Sequence, residues 1–242
     1  MTSLASSSEP LSNGRERRTS SSEHFTVDGT LIEAWASLKS FKKKGAKDDD
    51  APPPDDPGNP TVNFHGEKRT NETHASTTDP EAKLARKGRG REAKLSYSAH
   101  ALMENRNGLL VDFRVAEANG RAEREVALAM LDDHKTVRGP ATVGADKGYD
   151  THDFIAECRS MNVAQLINEH RGSAIDARTT RHAGYAISQR IRKRVEEIFG
   201  WAKTVGGFRR TRFRGRKGTK LAAYVVAAAY NLIRIARLAT AG

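Results

Sequence analysis

Two apolar runs, residues 93–103 and 109–117, flank the polar stretch Glu104-Asn-Arg-Asn-Gly108, and this pattern restricts the fold of the chain more than any other. A short polar segment ending in glycine between two strand-like runs predicts an antiparallel hairpin. Two long strands alone cannot bury their apolar faces, so the hairpin requires more strands and a covering layer of helices. The flanking sequence provides both. A strand is predicted over residues 25–32, ahead of the hairpin. A helix over 122–132 follows it, with Val126 and Met130 at helical spacing, and then a strand containing Asp146 after Arg138-Gly-Pro. A helix over 151–161, with Thr151 as its N-cap, and a short strand over 164–167 come next. A basic helix through residues 192–203 completes the series.

Three strands, helix, strand, helix, strand, helix is the element order of an α/β, ribonuclease H-like mixed sheet flanked by helices. In that arrangement the first strand, the fourth strand and the last helix bring carboxylates to one end of the sheet. The chain has an acid at each place. Asp28 and Asp146 each follow an apolar run and precede a glycine, as residues at a sheet-edge site often do, although Asp-Gly and Asp-Lys-Gly are also ordinary turn sequences. On the basic helix, about 100° per residue puts Arg192 roughly 40° and Lys203 roughly 20° from Glu196, forming one polar stripe. Ile191, Val195, Ile198 and Ala202 form a separate apolar stripe. Helix geometry lets either Glu196 or Glu197 escape that apolar face. Three carboxylates are the usual means of holding two Mg²⁺ ions about 4 Å apart for phosphoryl chemistry.

Charge points the same way. The formal net charge is +11, and 12 Lys or Arg lie between Arg181 and Lys217 against only Glu196 and Glu197. Such a localised excess is the footprint of a polyanionic partner rather than of a small metabolite. A hydrophobic content of 37% leaves room for disordered segments. Residues 1–22 read as a Ser-rich disordered tail. Residues 42–60, with a lysine run, five Asp and five Pro, read as a disordered insertion in a domain spanning 23–240. A lone cysteine, Cys158, excludes an internal disulfide framework, suits a reducing cytoplasm and reads as a packing residue. The first residues lack a secretory signal, and the apolar stretch 221–233 is too short to span a bilayer, so it is expected to pack as a helix.

Other signals are weaker. His65, His74 and His100 lack the spacing of two ligands on one helical face. Asn71-Glu-Thr has no use as a glycosylation acceptor in a cytoplasmic chain. Gly215-Arg-Lys-Gly-Thr-Lys has the wrong spacing for a phosphate loop, and Trp201 fits packing better than base stacking.

The segments around Val27–Ser37, Phe64–Pro80, Gly144–Asp150 and Arg192–Lys203 resemble bacterial insertion-sequence transposases of the DDE class, in the four/five group, with the similarity running from about residue 23 to 238. The resemblance implies Asp28, Asp146 and Glu196 as the catalytic and metal-binding triad, with Mg²⁺ or Mn²⁺ in a two-metal site. It selects Glu196 over Glu197 and aligns Arg192 and Lys203 with a Tyr, Arg, Glu, Lys pattern in which Gln189 replaces the Tyr and Tyr185 is no clean substitute. The partner it implies is double-stranded DNA, both element ends and target, with no membrane and a homodimer in full-length relatives. Lys147, Arg209, Arg210, Arg212 and Arg214, with Arg216 and Lys217, are the expected backbone contacts. Relatives carry a further N-terminal region, so an N-terminally truncated copy is expected. The alternative readings are an inactive remnant that binds DNA, and a basic RNA-binding protein with no catalytic site.

Overall fold

A computed structural model describes residues 24–45, 69–88, 90–134, 141–167, 173–175, 179, 181 and 184–240. Its strands are β1 (His24–Glu33), β2 (Phe41–Lys43), β3 (His74–Ser76), β4 (Lys83–Ala85), β5 (Lys94–Glu104), β6 (Leu109–Glu117), β7 (Ala141–Ala145) and β8 (Val163–Ile167). The helices are α1 (Ala122–His134), α2 (His152–Ser160), α3 (Tyr185–Ile191), α4 (Arg194–Thr204) and α5 (Gly215–Thr240).

The hairpin forms as its sequence requires. The Glu104 carboxylate accepts the amides of Arg106, Asn107 and Leu109, and Gly108 takes the left-handed conformation that closes the turn. β5 pairs antiparallel with both β6 and β1, while β1 runs parallel to β7 and β7 parallel to β8. The result is a six-stranded mixed sheet, with β4 sharing an edge of β5 with β6. This is the ribonuclease H-like arrangement that the element order implies.

Alternation along β1 divides the core in two. Phe25 and Val27 join Met130, Val143, Phe154 and Cys158 beneath α1 and α2, whereas Ile32 joins Tyr97, Phe113, Val195 and Ile198 beneath α4 and α5. Each fully buried side chain of this size contributes about 1.5–3 kcal/mol. Cys158 is completely buried, as a packing residue would be, and burial pushes its thiol up to about 12. Thr151 caps α2, accepting the Phe154 amide at 3.3 Å. Gly144 lets α3 lie directly on β7, because a Cβ there would stand 2.7 Å from Ser188 Oγ.

Several expectations change. The insertion does not begin at Lys42: Lys42 and Lys43 belong to β2 and pair with Ala75 and His74. Residues 46–60 and the expected tail, 1–22, lie outside the described residues. The helix through 192–203 is divided. Glu196 N–H donates to Lys193 O at 3.0 Å and Val195 N–H to Arg192 O at 3.3 Å, tight bonds that separate α3 from α4. The 100° arithmetic therefore holds between Glu196 and Lys203 but not back to Arg192. The last helix is longer than the stretch 221–233. At 26 residues, α5 is long and apolar enough to cross a membrane by length and composition alone. Here it lies along the hairpin, where Asn231 exchanges hydrogen bonds with the Leu110 backbone and Arg234 Nε donates to Asn107 O at 2.7 Å. Its outer side leaves Leu221, Val225, Leu232 and Ile235 exposed, so it is only half a packing helix.

Candidate active site

Pairing of β1 with β7 ends at Thr26 opposite Gly144, and Asp28 and Asp146 each lie two residues beyond that couple. Both acids therefore stand just past the last paired couple of these neighbouring strands. By alternation Asp28 shares a face with Thr26, Thr30 and Ile32, the face covered by α4. Asp28 Oδ1 accepts the Gly29 amide at 2.7 Å, and Asp146 Oδ1 accepts the Gly148 amide at 2.7 Å, capping a short 3-10 turn. Glu196 stands exposed in the first turn of α4, above this sheet end.

Burial pushes the Asp28 carboxyl up to about 7. The Gly29 hydrogen bond opposes the shift, and the negative charges of Asp146, Glu123 and Glu196 add to it. Both predicted partners of Asp28 therefore act on it. Of the two adjacent glutamates, Glu196 is the one acting on Asp28, whereas the charge of Glu197 acts on Tyr230 of α5. Glu123, from the first turn of α1, is an acid that the sequence did not single out. It approaches from the opposite face through space that Gly29 leaves open, where a Cβ would meet Glu123 Oε1 at 3.0 Å and His100 Nδ1 at 3.2 Å. An acid at the start of a helix is so common that its sequence position carried no signal. His100 is buried with both ring nitrogens unbonded, and burial holds it neutral, down to about 4.

The carboxylates crowd together without meeting. Among the described residues, no three His, Cys, Asp or Glu side chains stand close enough to hold a metal ion as placed. The donor set nevertheless suits a hard divalent cation, since it consists of carboxylate oxygens whose mutual repulsion such an ion would relieve.

Of the expected cations, Lys203 is tied to the strand that carries Asp28. Its Nζ donates to Thr30 Oγ1 at 2.6 Å, one side chain along the same face from Asp28. Burial pushes its ammonium below the usual lysine range, Lys87 and Arg209 push the same way, and Glu33 and Asp28 oppose them. Arg192 is half-buried at the joint between α3 and α4, and its buried Nε has no hydrogen-bond partner among the described residues. Lys147, Arg209, Arg212 and Arg214 are exposed. Arg210 differs, because its guanidinium is committed to the carbonyls of Ala34 and Trp35, at 3.1 and 2.6 Å, and stacks over the Trp35 ring. Arg216 faces Glu81. Gln189, at the tyrosine position, ties α3 to the Leu166 carbonyl of β8, and Trp201 packs edge-on against Tyr230.

Residues 61–232 match the family described as the transposase DDE domain. This chain belongs to that family. The matched stretch contains Asp146 and Glu196, and Asp28 lies upstream of it. No curated protein matches the chain. Membership assigns this transposase domain a part in DNA transposition, and its mixed sheet flanked by helices is the architecture that goes with it.

Proposed function

We propose that this transposase cleaves phosphodiester bonds at insertion-sequence ends and transfers the strands to target DNA in a divalent-metal-dependent reaction. It would act in a bacterial cytoplasm as a member of the four/five group. The observation that supports this reading is that the charges of Asp146 and Glu196 both act on the buried Asp28 carboxyl, just beyond the last paired residues of β1 and β7. Asp28 and Asp146 would hold the metal from the strand ends and Glu196 from the helix above. A bound Mg²⁺ or Mn²⁺ would supply activation of the attacking water or 3′-hydroxyl and stabilisation of the leaving oxygen. Lys203, anchored on Thr30, presents a cation to the phosphate next to the reacting one, while Lys147, Arg209, Arg212 and Arg214 hold the backbone further out.

A second reading is a protein that binds DNA without cutting it, favoured by the separation of the carboxylates. One experiment divides the two. Purified protein is given a duplex with an exposed 3′-hydroxyl and a target plasmid, in Mn²⁺ or EDTA, as wild type and as Asp146→Asn. Strand joining that needs both the metal and Asp146 supports the enzyme. Salt-sensitive binding with no joining, indifferent to the substitution, supports the binder.

A further inference from the structure

Lys83, Arg86, Lys87 and Arg91 fall within nine residues, on β4 and the loop that leads into β5. Two clefts open beside this loop. One, of about 620 Å³, is lined by Thr30, Lys83, Arg86, Lys87 and Glu123. The other, of about 870 Å³, is lined by Lys87, Arg91, Lys94, Lys203 and Arg209. Leu31, Ala85 and Lys87 line both, so together they make one groove along the far half of β1.

Glu33, Glu92, Glu117 and Glu123 also line the groove, but several of its cations have no ion-pair partner among the described residues. Lys83 and Lys94 have partners, Glu117 at 3.7 Å and Glu33 at 2.9 Å. Lys87, Arg91 and Arg209 make no ion pair among the described residues, and the Lys203 ammonium bonds to the neutral hydroxyl of Thr30. Lys203 feels the repulsion of Lys87 and Arg209 directly. A fold that gathers like charges around an open cleft is suited to an anion arriving from outside. One phosphate would not fill a groove of this length, whereas a strand of linked phosphates would. Thr30 is two residues along β1 from Asp28 on the same face, a rise of about 7 Å. A phosphate on Lys203 is therefore roughly one backbone step from the carboxylates.

We propose that this groove holds the sugar–phosphate backbone of the DNA strand that enters the site, with Lys87 and Arg91 gripping from the edge loop and Lys203 and Arg209 from the helical layer. The proposal rests on the reading that the chain acts on DNA, and it adds a loop of contacts outside the basic stretch 181–217.

Binding of a fluorescently labelled DNA duplex by the full chain, in EDTA with potassium chloride raised in steps, tests it. Lys87→Ala and Arg91→Ala are each expected to weaken binding about five- to ten-fold at low salt and to lower the salt slope by about 0.9 per lost contact. Lys87→Glu is expected to weaken it further, and Lys39→Ala, an exposed lysine elsewhere, to leave it unchanged. Melting temperatures equal to wild type establish that the variants are folded. If wild type binds DNA with salt dependence and the Lys87 and Arg91 variants bind identically, the groove is wrong while the DNA reading stands. If wild type binds no DNA in EDTA or in Mn²⁺, the DNA reading fails and the groove fails with it.

Discussion

Burial pushes the Asp28 carboxyl up to about 7, with one opposing hydrogen bond from the Gly29 amide. A carboxyl raised above its unfolded value of about 3.9 makes folding less favourable as pH rises from about 4 to about 7, because the unfolded chain ionises first. In EDTA, urea unfolding of the wild type should therefore show stability falling across that window and levelling above it. Asp28→Asn should remove most of the decline and be more stable than wild type at pH 8, by about 1–3 kcal/mol, while matching it at pH 4. Under the proposed function Mg²⁺ should reverse the comparison, raising the melting temperature of wild type at pH 8 and leaving Asp28→Asn nearly unmoved. Single residues were legible in the sequence where a charge interrupts an apolar pattern. Asp28 and Asp146 break strand-like runs, and Glu196 sits among cations on an amphipathic helix. Glu123 was not legible, because nothing in an ordinary first helical turn says which strand end it will face. Arg210 read like its basic neighbours, yet the bend between α4 and α5 turns it onto two carbonyls.

Elements show where pattern reading reaches its limit. The hairpin, α1, α2 and the strand leading to Asp146 were all visible, although that strand stops at Ala145 and Asp146 caps the turn after it. The three-residue strands β2, β3 and β4 were not, because three residues display no period and form only where a neighbouring strand offers hydrogen bonds. The joint between α3 and α4 was hidden for a related reason, since its residues remain right-handed helical and only the hydrogen bonding changes. The contact of α3 with β7 can be tested directly. Gly144→Ala should cost about 1–3 kcal/mol, read by urea unfolding, by driving a methyl group into Ser188 Oγ. Adding Ser188→Ala should recover most of that loss, which simple removal of a strand glycine would not explain. Thr151→Ala should cost about 1 kcal/mol through loss of the cap on α2.

Across the whole molecule, β1 lies between β5 and β7, joining the antiparallel half of the sheet to the parallel half. Each half relies on it for hydrogen bonds and for the apolar residues of both core layers. A chain beginning at Phe41 should accordingly lose cooperative unfolding and near-ultraviolet circular dichroism, whereas full-length Asp28→Asn should keep both. The strand that carries the first acid is thus also the one the sheet cannot do without, and this bears on how a mobile element ages within a genome. A copy trimmed past its first strand leaves a polypeptide for proteases. A copy that has merely exchanged Asp28 keeps every strand of the sheet and should persist as folded protein. The altered copies that last as protein are therefore those with changed letters rather than those with a missing first strand.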